Sequence, residues 1–420
     1  MRVEDYKWLF LDLNSYFASC EVQERPELRG KPVAVVPMET DYTMAIAANY
    51  IAKAYGVKTG TPIIEAKRMC PGLRCVLARH DVYVRYHHRI LAEVIKHTPI
   101  NKVCSIDELS SRLPPGKRNR AAAEEIARRL KDGIRAHVGE AITCSIGIAP
   151  NSFLAKVATD MQKPDGLVVL DSAALPARLF TLALTDLPGI STRMESRLND
   201  AGIKTVEEFY CLSPPQARRI WGSVLGERMW HRLHGHDVED PPTRKSVIGH
   251  SRILEPNLRA PLAAWLMARK LTIKAAARLR REEYFATVLD LYVREPEGGG
   301  WQGAAKLAPG QDNFVFLKAL ENLWQAMLTE FSCPKLLQVA VTLHGLCRRQ
   351  EITADLFDNS SKAFQKIQGQ RDALTTAMDK INHRFGADTI QLGIVPPTQA
   401  GYVGTKISFT RIPELSEFLE

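Results

Sequence analysis

Trp8-Leu-Phe-Leu-Asp12-Leu-Asn-Ser-Tyr-Phe17 is the stretch on which the fold turns. Four apolar residues run without a break into a carboxylate. A short unbroken apolar run reads as a strand covered on both faces. An acid at its end belongs at an open sheet edge rather than in the core. The pattern recurs at Val103-Cys-Ser-Ile-Asp107, followed at once by Glu108. Two acid-bearing strand ends in one sheet can hold divalent cations. Magnesium takes a few carboxylate oxygens and otherwise keeps water or substrate phosphates. Two such ions about 4 Å apart activate an attacking oxygen and stabilise a leaving one. Neighbouring side chains on a strand point to opposite faces, so Asp107 and Glu108 need a turn or a strand end to converge. Taken singly, Asp12 reads as a turn cap and the Asp107-Glu108 pair as solvated loop acids. Only their joint context makes a site.

Outward from that stretch, Pro32–Val36 reads as a second strand. Ala45–Tyr55 and Ile63–Met69 read as helical pieces, with Gly56 and Gly60 as breakers between them. Asp81–Lys96, Ala121–His137 and Ser152–Met161 have helical spacing, and Ala141–Ala149 reads as a strand. Strands and helices alternate, but the helical insertion before residue 80 breaks any doubly wound order, so the class is α+β. Residues 185–240 read as short helices. Pro241-Pro-Thr-Arg-Lys-Ser246 reads as a linker. Beyond it, Pro261–Arg281 is a helix carrying Arg269, Lys270, Lys274, Arg278, Arg280 and Arg281, and Phe285–Val293 and Leu336–Leu343 alternate as strands. Residues 350–420 look less regular and end acidic.

Charge marks the same division. The 420-residue chain carries a net +9, yet residues 244–349 alone hold sixteen Lys/Arg against nine Asp/Glu. A cationic module suits a polyanion, because each phosphate neutralised releases condensed counterions. On charge alone, a solvated basic face with no ligand is as good a reading. The eight cysteines form no C-x-x-C pair, and Cys70 and Cys75 lack further ligands for a zinc site. Buried, reduced thiols follow. With no apolar run of membrane-spanning length and no signal-like start, the expected location is the cytoplasm, with no membrane partner.

FLDLNSYFASCE, then IAANYIAKAYGVKTGTPIIEAKRMCP, then SIDELS, then TCSIGIAPNSFLAKVATDMQKPDG together resemble the Y family of translesion DNA polymerases. The match runs in order over roughly residues 7–350. It implies a right-hand polymerase: a ferredoxin-like palm (1–20 and 80–175), small fingers (21–79) and a helical thumb (176–240). A linker (241–248), an α+β little finger (249–349) and a tail (350–420) would follow. It implies primer-template DNA and dNTP as substrates and two Mg2+ ions as cofactor. By the same resemblance Asp12, Asp107 and Glu108 are the metal-holding acids, and Leu13 lends a backbone carbonyl.

The family pattern extends to the nucleotide. Tyr50 and Lys53 lie three apart on one helix face and match positions that contact the triphosphate, as does Lys163. Lys53 stands where arginine is usual, and a lysine lacks the bidentate fork. Ala47 stands where a Thr or Ser hydroxyl is common. Phe17 matches the aromatic gate that rejects a ribose 2′-hydroxyl, with Tyr16 as the second aromatic. Asp186-Leu-Pro-Gly189-Ile-Ser resembles a helix-hairpin-helix, whose backbone N–H groups approach a DNA phosphate. Arg244, Lys245 and Arg252 belong to the stretch entering the DNA-gripping little finger. Thr353-Ala354-Asp355-Leu356-Phe357 resembles the short peptide by which bacterial polymerases engage the sliding clamp, with Thr353 in place of the usual Gln. Two other classes compete: a DNA- and clamp-binding scaffold without catalysis, which Ala47 and Lys53 favour, and a nucleotidyl cyclase. The three acids oppose the first. The thumb-like hairpin and basic module oppose the second.

Overall fold

The computed structural model describes residues 6–171, 175–239, 241, 244–332, 334–352, 362–386, 389–394, 407 and 411–418. They fall into two units, one of residues 1–240 with 405–418, the other of residues 241–404 with the last two residues.

In the first unit, β1 (Trp8–Leu13) is buried along its whole length. Helix α1 (Tyr16–Glu24) follows after a turn in which Ser15 takes φ 49°. A small sheet, order β3-β2-β4, joins β2 (Val33–Val36), β3 (Ala47–Ala48) and β4 (Arg74–Leu77). Helices α2 (Tyr50–Ala54) and α3 (Ile63–Met69) pack with it. Helix α4 (His80–Ile95) returns the chain to the main sheet, β5-β6-β1-β7-β8. Its remaining strands are β5 (Lys102–Val103), β6 (Glu108–Arg112), β7 (Cys144–Ala149) and β8 (Leu167–Val169). Helices α5 (Arg120–His137) and α6 (Ser152–Met161) connect them.

Strand parity decides where the acid points. Leu9, Leu11 and Leu13 enter a core with α4 and α5 residues such as Val82, Ile90, Leu130 and Ile134. Trp8 and Phe10 enter the opposite core with Phe153, Leu154 and Val157 of α6. Side chains two apart share a face, so Asp12 lies on the α6 side. Five helices, α7 (Leu175–Leu179), α8 (Thr192–Asp200), α9 (Val206–Tyr210), α10 (Pro214–Trp221) and α11 (Val224–Leu233), continue the second core. Asn151 fastens them. Its side chain accepts the Leu154 N–H as the cap of α6 and donates to the carbonyls of Arg232 and His236 at 2.8 and 3.0 Å.

The second unit is a four-stranded antiparallel sheet, β11-β10-β12-β9, formed by β9 (Val247–Ile253), β10 (Tyr284–Arg294), β11 (Gly300–Gly310) and β12 (Gln338–His344). The short β13 (Cys347–Arg348) pairs with β10. Two helices, α12 (Pro261–Arg281) and α13 (Asn313–Glu330), cover one face. Basic residues on α12 are committed to partners. Arg280 grips Asp379, and Arg278 pairs with Glu282.

Three elements differ from expectation. Ala45–Tyr55 is not one helix: Ala47 and Ala48 pair with Val35 and Ala34, and the helix starts only at Tyr50, where Asn49 accepts the Ala52 N–H. Alanine suits either state, so the cap and the pairing decide. Val103–Asp107 is not one strand: the chain leaves β5 after Val103 and turns, and β6 begins at Glu108. Residues 362–385 form a 24-residue helix, α14, where irregular chain was expected. Its many Gln and Lys residues obscure the apolar stripe that seats Met378. Among the described residues no helix is long and apolar enough to cross a membrane.

Candidate active site

Asp12 and Glu108 are cross-strand partners in the β1–β6 ladder. Asp107 occupies the turn that opens β6, and its carbonyl accepts the Leu13 N–H at 2.9 Å. The turn is what lets two adjacent acids converge. The Ser105 hydroxyl donates to the Asp107 carboxylate at 2.6 Å. The three acids repel one another: Asp12 feels Glu108, and Asp107 feels Asp12. Burial pushes the Asp12 carboxyl above the usual aspartate range, although the Lys163 ammonium opposes this. Burial does the same to Asp107, against the Ser105 hydrogen bond.

Two lysines neutralise the cluster. The Lys163 Nζ lies 2.8 Å from Asp12 Oδ2 and 2.7 Å from Asp160 Oδ1. Burial alone would lower the Lys163 pKa, but Asp12 and Asp160 outweigh it and hold the ammonium above its ordinary value. The Lys156 ammonium, from α6, pairs with Glu108 and stands 5.1 Å from the centre of the Phe10 ring. Lys156 was not among the sequence-expected residues. A helical reading of residues 152–161 does not say which face meets the acids. The donor set fits hard divalent cations: carboxylate oxygens, a strand-end carbonyl and little else. Among the described residues no group of three acids, histidines or cysteines already stands at coordination spacing. The cations on Asp12 and Glu108 are ammonium groups instead.

The nucleotide-side residues gather near the same edge. Lys53 lies 4.4 Å from the Tyr50 ring centre. Burial and then the Lys163 ammonium lower the Lys53 pKa. Burial raises the Tyr50 hydroxyl pKa, against the nearby Lys163 ammonium. Three cationic or hydroxyl groups thus converge beside the acids, as a polyphosphate requires. Phe17 stacks on Tyr83 with ring centres 4.4 Å apart and planes 13° from parallel. Tyr83 is itself held: its hydroxyl donates to Glu21 at 2.8 Å, and Arg79 forks onto the same fully buried carboxylate. The Tyr16 hydroxyl donates to the Tyr83 carbonyl at 2.6 Å. Phe17 is therefore a rigid wall backed by an ion pair.

The remaining sequence-singled residues lie elsewhere. Gly189, at φ 97°, sits in the turn before α8, where a left-handed backbone favours glycine. Arg244 pairs with Glu351, and Lys245 with Glu282. Arg252 reaches Glu255 at 2.6 Å, with 13% of its side chain exposed. Thr353, Ala354, Asp355, Leu356 and Phe357 lie outside the described residues.

Known proteins resemble this chain over most of its length. The impB/mucB/samB family matches residues 11–160, and its C-terminal domain matches residues 244–356. DNA polymerase IV of Moorella thermoacetica is 32% identical over 402 residues, covering 94% of this chain and 97% of the relative. A Y-family DNA polymerase chimera of Dbh and Dpo4 superposes with a TM-score of 0.70 at 24% identity, over 81% of this chain and 99% of the chimera. An insertion ternary complex of Dbh DNA polymerase gives 0.54 at 25% identity, over 81% and 99%. The chain therefore belongs to the impB/mucB/samB family, the Y-family DNA polymerases. It is a DNA-directed DNA polymerase of the low-fidelity, damage-bypassing class, with the α+β right-hand fold and the divalent-metal chemistry of that family.

Proposed function

We propose that Asp12, Asp107 and Glu108, with the Leu13 carbonyl, hold two Mg2+ ions and extend a primer opposite damaged template. The observation that carries this reading is the register of Asp12 against Glu108, each carboxylate already paired with a cationic side chain. Bound there, the ions would supply activation of the primer 3′-oxygen and neutralisation of the triphosphate. The chain's own residues do the rest. Lys163 exchanges Asp12 for phosphate oxygens, and Tyr50 and Lys53 grip the same triphosphate. Phe17, backed by Tyr83 and flanked by Tyr16, stands under the sugar and clashes with a 2′-hydroxyl. In this reading residues 1–20 and 80–175 are the palm, 21–79 the fingers, 176–240 the thumb and 249–349 the little finger. Gly189 offers backbone N–H groups to a DNA phosphate. Arg244 and Lys245 release their acids for phosphates of the primer-template, with Arg252 beside them on β9. Residues 353–357 engage the sliding clamp in the bacterial cytoplasm.

Primer extension on an undamaged and a lesion-bearing template tests this directly. Wild type should extend both with Mg2+ and dNTPs, and Asp107→Ala/Glu108→Ala should extend neither while still binding DNA. A folded, DNA-binding wild type that extends nothing, even with clamp present, would leave a scaffold as the better reading.

A further inference from the structure

We infer that Asn14 is a positioning residue that sets the Lys163 loop for the incoming nucleotide. Only 2% of Asn14 is exposed, and its backbone N–H donates to the Thr143 carbonyl at 2.8 Å, just past the end of β1. Its side-chain Oδ1 accepts the Asp165 N–H at 2.8 Å and the Thr143 hydroxyl at 3.2 Å. A backbone N–H can only donate, so this contact fixes which way the amide points. Nδ2 then donates to the Ser145 hydroxyl at 3.1 Å. Ser145 is fully buried and lies opposite Asp12 in the β1–β7 register. It spends its one proton on the Gln162 carbonyl at 3.2 Å and accepts the Gly166 N–H at 3.3 Å.

Asn14 and Ser145 therefore bracket Lys163 on both sides, at Gln162 and at Asp165-Gly166. They tie the lysine's loop to the strand that carries Asp12. Both acceptor sites of the Asn14 oxygen and the whole bonding capacity of the Ser145 hydroxyl are assigned, and the assignment needs an amide. An aspartate at position 14 could accept but not donate. The Ser145 hydroxyl would have to turn toward it and abandon Gln162. Since buried polar groups are costly to leave unmatched, the loop would shift and take the Lys163 ammonium with it.

This inference rests on the reading of Lys163 as a triphosphate ligand, and the experiment separates the two. Single-nucleotide insertion by the full chain on primer-template would be measured for wild type, Asn14→Ala, Asn14→Asp, Lys163→Ala and Asn14→Ala/Lys163→Ala. Asn14→Ala and Asn14→Asp should each raise KM for dNTP by roughly tenfold or more, with kcat within about threefold of wild type. In the Lys163→Ala background the Asn14→Ala effect should shrink below about threefold. Ser145→Ala should raise KM in the same direction, and it carries the test if Asn14→Ala melts too low to assay. An equal Asn14 effect in both backgrounds, or a fall in kcat alone, would overturn the positioning role. An unchanged KM in Lys163→Ala would overturn the reading of Lys163 itself, and the inference with it.

Discussion

Replacing Gly147 by alanine should cripple catalysis from a position that touches no substrate. Gly147 lies on β7 opposite Phe10, under helix α6. A Cβ built there would stand 1.9 Å from the Ala155 carbonyl oxygen, 2.8 Å from the Ala158 Cβ and 2.9 Å from the Thr159 N. Two of these neighbours are backbone, so no side chain can swing aside. Helix α6 must withdraw by roughly 1 Å for the carbonyl contact to become tolerable. Overpacking of this kind costs about 1–3 kcal/mol, which should lower Tm by several degrees (~2–4 °C per kcal/mol for a unit of this size). The same helix carries Lys156, paired with Glu108, and Asp160, paired with Lys163. A misplacement of about 1 Å there should reduce kcat/KM on the order of 100-fold. Differential scanning fluorimetry and single-nucleotide insertion read the two effects. Gly116→Ala is the control, because nothing lies within 4 Å of its added Cβ. If Gly147→Ala matched Gly116→Ala in both assays, the close packing of α6 on β7 would not be what positions the site.

Three further outcomes follow from the same geometry. Lys156→Met removes the ammonium that competes for Glu108; a partly exposed ion pair is worth ~0.5–1 kcal/mol, so Mn2+ titrated without DNA should bind about 2–5-fold tighter, and unchanged affinity would refute the competition. Phe17→Ala should cut discrimination between dNTP and rNTP by roughly tenfold or more, read as the ratio of their kcat/KM values; an unchanged ratio would mean that Phe17 only fills the core. Lys96, with His97 and His137, holds Glu93 down to about 2 from 4.5. A depressed carboxyl stabilises the fold above 4.5 and loses that contribution as pH falls toward about 2. Glu93→Gln should therefore lower Tm at neutral pH and flatten the acid limb of a Tm–pH curve over that window, and a parallel curve would contradict the assignment.

The apolar run into Asp12 was legible as the buried strand β1, but the matching run into Asp107 is a two-residue exposed strand followed by a turn. The roles proposed for Asp12, Asp107, Glu108, Phe17, Tyr50 and Lys163 all come through family likeness. Local preference misplaced what depends on partners. Ala47 and Ala48 are helix-formers held in a strand by Ala34 and Val35. Asp107 sits in a turn because β6 takes its register from β1 only at Glu108. Helix α14 hid in a polar sequence, since the Arg280–Asp379 pair is a contact between residues 99 apart in the chain. Lys156 and Asn14 belong only to the tertiary structure. A lysine on an amphipathic helix and an asparagine after a strand are ordinary until folding brings Glu108 to one and the Lys163 loop to the other. Sequence sets which groups carry charge and which faces are apolar; sheet register and helix packing decide which charges meet, because the energy of a meeting falls with distance that chain order does not contain.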